Sequence, residues 1–173
     1  MHMTTLFAVG VLVIGSGLQH LKQATTDGQV AFQGSFELDA SADKAILFFT
    51  PEGERAWAKG FDPKAVYPSQ EGVAFQTNAV FRVDDGEERS LWTIIEADLR
   101  KHTAEYVYLV EGERLSRVRV EIDPVDLAHC RVRVRYVHTA ISEKGLHFIT
   151  GLSEMAFTQK MQDWRRAIGS LIR

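Results

Sequence analysis

Residues 130–172 read CRVRVRYVHTAISEKGLHFITGLSEMAFTQKMQDWRRAIGSLI, and the spacing of the apolar residues changes inside this stretch. Up to Ala140, apolar and polar residues alternate, which is typical of a strand with one buried face. From Lys144 to Ile172 the apolar residues recur every three or four positions, which predicts a single amphipathic helix. A helix of that length would span about 40 Å. We therefore expect it to lie across a whole curved sheet and to enclose a cavity against it.

The preceding sequence predicts the other strands of that sheet. An alternating strand pattern at 30–39 is followed by two short helices. Ser41 caps the first, and the second begins at Thr50 and stops at Gly60. Residues 61–71 form a loop. Five strand patterns then follow, separated by short turns as in an antiparallel meander, at 75–83, 91–97, 104–110, 115–122 and 130–140. The predicted class is α+β.

Composition bounds the function. The chain has 173 residues, 45% of them hydrophobic, so a single domain can build a core without metals or disulfides. The net charge of −3 argues against nucleic acid as a partner. Cys130 is the one cysteine, and His102, His129 and His147 lack metal-ligand spacing. We therefore expect no metal and no cofactor.

Residues 1–24 form a separate apolar segment ahead of the domain at 28–173, either a signal peptide or an extra helix or strand. Within it, LFAVGVLVIGSGL at 6–18 resembles the apolar part of a signal peptide, but no Lys or Arg precedes it. The stretch is also short for a membrane span. We expect a cytoplasmic protein, with export as the alternative if the segment is a signal peptide. Membrane contact would involve this segment only, and the oligomeric state stays open.

Two segments resemble a known superfamily. They are TPEGERAWAKGFDP at 50–63 and RYVHTAISEKG at 135–145. Together with the order of elements over 28–172, they resemble the SRPBCC superfamily, which includes START-like lipid-transfer domains, polyketide cyclase-like proteins and the birch-pollen allergen class. The match is to a bacterial branch of that group. The resemblance implies a helix-grip fold, in which a curved antiparallel sheet wraps around a long C-terminal helix.

The same resemblance implies a hydrophobic cavity under the helix. Members bind lipids, sterols, polyketides, quinones or plant hormones, and some catalyse cyclisation or hydration. A related group activates a chaperone. The leading hypothesis is therefore a non-enzymatic binder or carrier of a small hydrophobic molecule. A cyclase- or hydratase-like enzyme and a protein-interaction module are the alternatives.

Side-chain alternation in the last strand indicates which residues reach the cavity. Arg131, Arg133 and Arg135 share one face, so Tyr136 and His138 point inward. Their polar tips would orient a ligand carbonyl or hydroxyl, or be satisfied by backbone or buried water. The arginine face is either solvated or a surface for an anionic partner. The remaining candidate ligand-binding residues are Trp57, Trp92, Tyr106, Phe148, Leu152 and Met155.

Two of these assignments carry alternatives. Trp57 would either stack on a ligand or plug the gap between the short helices and the sheet. For an enzyme, His138 and Glu96 form the best acid–base couple, because Glu96 has the same parity as Trp92 and Ile94. No nucleophile motif accompanies them.

Overall fold

The computed structural model describes residues 21–23, 28–86 and 88–172. Most of the apolar segment at 1–24 lies outside these residues. No helix in the described part is long and apolar enough to cross a membrane. The described strands are β1 (Leu21–Gln23), β2 (Gln29–Leu38), β3 (Lys64–Tyr67), β4 (Val80–Asp84), β5 (Arg89–Asp98), β6 (Thr103–Val110), β7 (Arg114–Pro124) and β8 (Cys130–Ala140). The helices are α1 (Ala42–Leu47), α2 (Pro51–Glu54), α3 (Glu143–Gly151) and α4 (Glu154–Gly169).

The strands form one antiparallel sheet in the order β1-β2-β8-β7-β6-β5-β4-β3. Strands β4 to β8 follow one another as a meander, and β2 returns to pair with β8 along its whole length. This is the topology that the alternating patterns and short turns predict. Burial along β8 also alternates as predicted, with Val132, Val134, Tyr136 and His138 buried on the inner face.

The arginines of β8 lie on the outer face, among acids. Arg131 pairs with Glu37, and Arg133 pairs with Asp123 and Glu121. Neighbouring carboxylates therefore offset much of the basic charge that the sequence suggested for this face.

The C-terminal helix differs from the expectation. A single helix from Lys144 to Ile172 is wrong, because the chain leaves the helical conformation at Leu152, which has ψ of 140°. Ser153 then starts α4, and its Oγ accepts a hydrogen bond from the Ala156 N–H at 3.2 Å. Serine is a strong helix N-cap, so it begins a new helix although the apolar spacing continues across the break.

The short elements also differ in extent. Thr50 caps α2 as predicted, accepting from the Gly53 N–H at 3.0 Å, but α2 ends at Glu54 rather than at Gly60. The predicted loop at 61–71 contains the edge strand β3. The strand predicted from Phe75 begins only at Val80, because Asn78 adopts a positive φ of 68° that strands do not accommodate.

Helix α3 starts very close to the sheet. A Cβ at Gly145 would collide with the Glu113 carbonyl oxygen in the turn between β6 and β7. Ser142 caps this helix and also donates to the Gly112 carbonyl at 2.7 Å. Glycine and the cap together hold the first turn of α3 against the end of the sheet. From there, α4 runs back over β2.

Candidate functional site

The inner face of the sheet carries a layer of aromatic side chains. Trp92 of β5 stacks on Tyr108 of β6, with centroids 4.2 Å apart, and on Phe81 of β4 at 5.7 Å. Its indole N–H donates to Ser90 Oγ at 2.8 Å. Tyr106 is 3% exposed and donates its hydroxyl to the Phe49 carbonyl at 2.5 Å. Both predicted aromatics of this region, Trp92 and Tyr106, therefore face the interior.

His138 and Tyr136 lie beside this layer on β8. Their rings stack with centroids 5.4 Å apart. His138 Nδ1 is 2.8 Å from Ser116 Oγ on β7, which holds the ring in place. Burial, with a further contribution from the positive charges of Lys160 and Arg114, lowers the pKa of His138 to about 3. The imidazole is therefore neutral at physiological pH, and one of its nitrogens is satisfied by the protein.

The predicted couple of His138 with Glu96 is not assembled. A β-bulge between Ile94 and Glu96 shifts the register of β5, so Glu96 turns to the outer face opposite Glu105. There its carboxylate accepts from Arg119 Nη1 and from Thr103 Oγ1, both at 2.7 Å. The strict alternation that placed Glu96 inside fails at the bulge.

The C-terminal helices cover the aromatic layer. Phe157 of α4 stacks on Phe32 of β2, with centroids 5.4 Å apart, and meets Tyr136 edge-on at 5.9 Å. Phe148 and Leu152 of the α3 region pack partly buried against the core, as the sequence suggested. Met155 does not, because its side chain is 81% exposed at the start of α4.

Trp57 links the short helices to α4. Its ring meets Trp164 at 5.1 Å and Phe49 at 5.9 Å, and its indole N–H donates to the Phe48 carbonyl at 2.8 Å. These contacts favour the plug interpretation over a freely presented stacking surface. The ring is nevertheless only partly buried.

Two charged side chains that the sequence reasoning missed face the same region. Lys160 of α4 places its ammonium nitrogen 4.2 Å from the centroid of the Tyr136 ring and 5.3 Å from that of Trp164. Glu54, the last residue of α2, acts electrostatically on Lys160, Tyr106 and Tyr136. Both charged side chains are partly buried.

Burial shifts the pKa values of Glu54 and Lys160 in opposite directions. Burial raises the pKa of Glu54 to about 8, and Lys160 opposes that rise. Burial also lowers the pKa of Lys160 to about 8, against the effect of Glu54 and with a smaller contribution from Arg114. Desolvation disfavours the charged form of each group. Among the described residues no ion pair joins Glu54 and Lys160, so their electrostatic interaction acts beyond ion-pair distance.

A sequence signal for Lys160 exists. It lies three residues after Phe157 and four before Trp164, so it falls within the apolar stripe of α4. Glu54 lies three residues after Pro51, which is buried. A charged residue inside an apolar stripe indicates either a snorkelling side chain or a polar group held in the interior.

The end of the sheet next to α3 is strongly polar. Arg114 is 4% exposed, pairs with Glu113 and with Glu88 at 2.5 Å, and lies 3.8 Å over the ring of Phe148. A depression of about 470 Å³ opens beside it, lined by Asp84, Gly86, Glu88, Arg89, Val110, Glu111, Glu113 and Lys144. Its charged lining does not suit an apolar ligand.

Comparisons with known proteins bear on the fold. No family model and no curated protein matches the sequence. CalU16 from Micromonospora echinospora is similar in structure, with a TM-score of 0.57 and 14% identity over 91% of this chain and 83% of that one. Ara h 8.0201 gives a TM-score of 0.59 and 15% identity over 84% and 98%. Norcoclaurine synthase from Thalictrum flavum, in complex with dopamine and hydroxybenzaldehyde, gives 0.58 and 11% over 95% and 96%.

These similarities extend over nearly the whole described chain. They agree with the order of strands and helices found here, so the chain has the helix-grip fold that the sequence resemblance implied.

Proposed function

We propose that this protein binds a small, mainly apolar molecule between the inner face of the sheet and helices α3 and α4. The observation that carries this proposal is a set of aromatic side chains that pack against the core and remain only partly buried. Rings that line an interior binding space would show this partial accessibility. The members of this set are Trp57, Phe61, Trp92, Phe148 and Trp164.

The polar groups in this region would orient the ligand. Lys160 lies over the ring of Tyr136, and Glu54 acts electrostatically on both. An apolar pocket with a few convergent polar groups is the usual form of a small-molecule site. His138 would serve as a neutral wall and hydrogen-bonding group rather than as a charged acid, because its pKa lies far below neutrality.

The similar structures support the same class of ligand. The norcoclaurine synthase structure holds dopamine and hydroxybenzaldehyde, two small aromatic molecules, in a protein of the same fold. The particular acid–base mechanism with His138 and Glu96 is not proposed further, since the two side chains lie on opposite faces of the sheet.

Binding can be tested with a mixed panel of lipids, quinones and aromatic compounds, read by native mass spectrometry and by displacement of anilinonaphthalene sulfonate. The variant Leu152→Trp adds bulk beside the proposed site and should weaken binding at least tenfold. Leu127→Trp is the matched control, because Leu127 is 96% exposed in the turn after β7. Retention of no compound from the panel, or equal effects of the two variants, would contradict the proposal.

A further inference from the structure

Tyr136 carries a hydroxyl group that has no partner in the described part of the chain. The residue is only 6% exposed, yet its hydroxyl forms no hydrogen bond with any described residue. Tyr106 on β6 is buried to a similar degree and does have a partner, because its hydroxyl donates to the Phe49 carbonyl. A buried tyrosine hydroxyl usually finds a partner, so the Tyr136 hydroxyl is an exception that needs a reason.

His138, two residues further along β8, has the same property. It is 7% exposed, and its Nδ1 lies 2.8 Å from Ser116 Oγ, whereas its Nε2 has no hydrogen-bond partner among the described residues. Burial lowers the pKa of His138 to about 3, so the ring is neutral at pH 7. A neutral imidazole nitrogen either donates or accepts, so Nε2 has one bond still to make whichever nitrogen carries the proton.

The two side chains lie side by side on the inner face. Their rings are 28° from parallel, with centroids 5.4 Å apart. Neither Tyr136 Oη nor His138 Nε2 is among the fully enclosed polar atoms that lack a partner, so part of the surface of each atom stays uncovered. Phe157 meets Tyr136 edge-on and Phe148 meets His138 edge-on, both at 5.9 Å. Two unpartnered polar atoms therefore lie next to each other among aromatic rings.

We propose that Tyr136 and His138 together bind one hydroxyl group of the apolar ligand, so that the protein selects hydroxylated aromatic compounds such as phenols. This inference rests on the proposed binding function and adds a chemical class to its ligand. A site with buried polar groups rejects a molecule that leaves those groups unpaired. A ligand that supplies the missing partner is favoured over one of the same shape that does not.

A hydroxyl group fits both atoms for either arrangement of the imidazole proton. Tyr136 Oη can donate and accept, whereas His138 Nε2 does one or the other, depending on the tautomer. A ligand hydroxyl also donates and accepts, so it pairs with both atoms in each case. A carbonyl oxygen only accepts and fits one tautomer. An ammonium group is disfavoured, because the Lys160 ammonium nitrogen already lies 4.2 Å from the centroid of the Tyr136 ring.

Two probes of the same shape test this selection. 2-Naphthol and 2-methylnaphthalene differ by a hydroxyl in place of a methyl, and their dissociation constants on the full chain are measured by displacement of anilinonaphthalene sulfonate. One hydrogen bond changes an equilibrium by roughly two- to tenfold. We expect Tyr136→Phe to shift the ratio of the two constants at least threefold in favour of 2-methylnaphthalene. Tyr67→Phe makes the same change at a tyrosine that is 62% exposed and should leave the ratio unchanged.

A second variant examines the other half of the site. His138→Asn keeps a polar atom near the position of Nδ1 for Ser116 but removes Nε2, so it should also shift the ratio at least threefold. If both compounds bind the native chain but either variant moves the ratio less than threefold, the hydroxyl site is overturned while the binding function stands. If neither compound binds the native chain, both proposals fail.

A measurement without ligand shows whether the Tyr136 hydroxyl has a structural partner instead. Tyr106→Phe loses the bond to the Phe49 carbonyl and should lower the urea midpoint of unfolding. Tyr136→Phe loses no such bond and should not lower it. A fall in Tyr136→Phe of more than half that in Tyr106→Phe would show a partner within the chain and overturn the proposal. Far-ultraviolet circular dichroism verifies that each variant is folded.

Discussion

The substitution Lys160→Met tests directly whether a charged amine is held in the interior. Burial lowers the Lys160 pKa from 10.5 to about 8. At about 1.4 kcal/mol per pKa unit, placing this charge in the fold costs about 3 kcal/mol. Methionine removes that cost but also removes the contacts of the cation with Tyr136 and Trp164, which contribute about 1–2 kcal/mol. The variant should therefore be more stable than the native chain by about 1–2 kcal/mol at pH 7.

The destabilisation caused by the Lys160 charge should depend on pH. Because the folded-state pKa of Lys160 lies below the unfolded value, the destabilisation is fully present below pH 8 and disappears as the pH rises from 8 to 10.5. The advantage of Lys160→Met should shrink over that same interval. Glu54 adds to this decline of the advantage. Without the lysine the pKa of Glu54 rises further, so the ionisation of Glu54 destabilises the variant more than the native chain as the pH rises.

Urea unfolding followed by tryptophan fluorescence measures the effect, since Trp57, Trp92 and Trp164 all pack against the core. Lys59→Met is the control, because Lys59 is exposed and should change stability by less than about 0.5 kcal/mol at any pH. Destabilisation by Lys160→Met at pH 7, or an equal gain at pH 7 and pH 10, would show that the Lys160 charge carries no desolvation cost in the fold.

Gly145→Ala should lower the free energy of unfolding by about 2 kcal/mol, since its Cβ meets backbone, whereas Gly151→Ala, with open space around it, should not lower it in the same urea titration. The ring protons of His138 should show no titration by NMR between pH 5 and 8, whereas those of exposed His129, whose pKa the Asp126 carboxylate raises, should titrate above the usual histidine pKa; a titrating His138 would contradict the assigned burial. Glu96→Gln should leave ligand affinity unchanged and lower the free energy of unfolding by at most about 1 kcal/mol, because the Glu96 side chain lies on the outer face of the sheet. A tenfold loss of affinity would contradict that placement.

The sequence predicts the sheet well for a physical reason. In the antiparallel pairs of this meander, one face is buried, so alternation is imposed residue by residue, as along β8. The caps at Ser41 and Thr50 are equally local signals, and both are found in the structure. Local patterns therefore establish the order of elements over most of the described chain.

The sequence predictions fail where a local structural feature interrupts the regular spacing of apolar residues. One bulged position in β5 reverses the facing of Glu96, and the spacing of apolar residues carries no sign of it. The cap at Ser153 breaks a helix whose apolar stripe continues on both sides. Lys160 was missed for the opposite reason, because a pattern of apolar residues gives no weight to the one charged residue inside it.

The most direct test of the interior binding space is a crystal structure of the protein soaked with bromonaphthalene, with the bromine located by its anomalous signal. We predict a bromine between the sheet and α4, within about 4.5 Å of Tyr136 or Trp164 side-chain atoms. Bromine found only on the outer face, or side chains that fill the space between the two layers completely, would contradict the account.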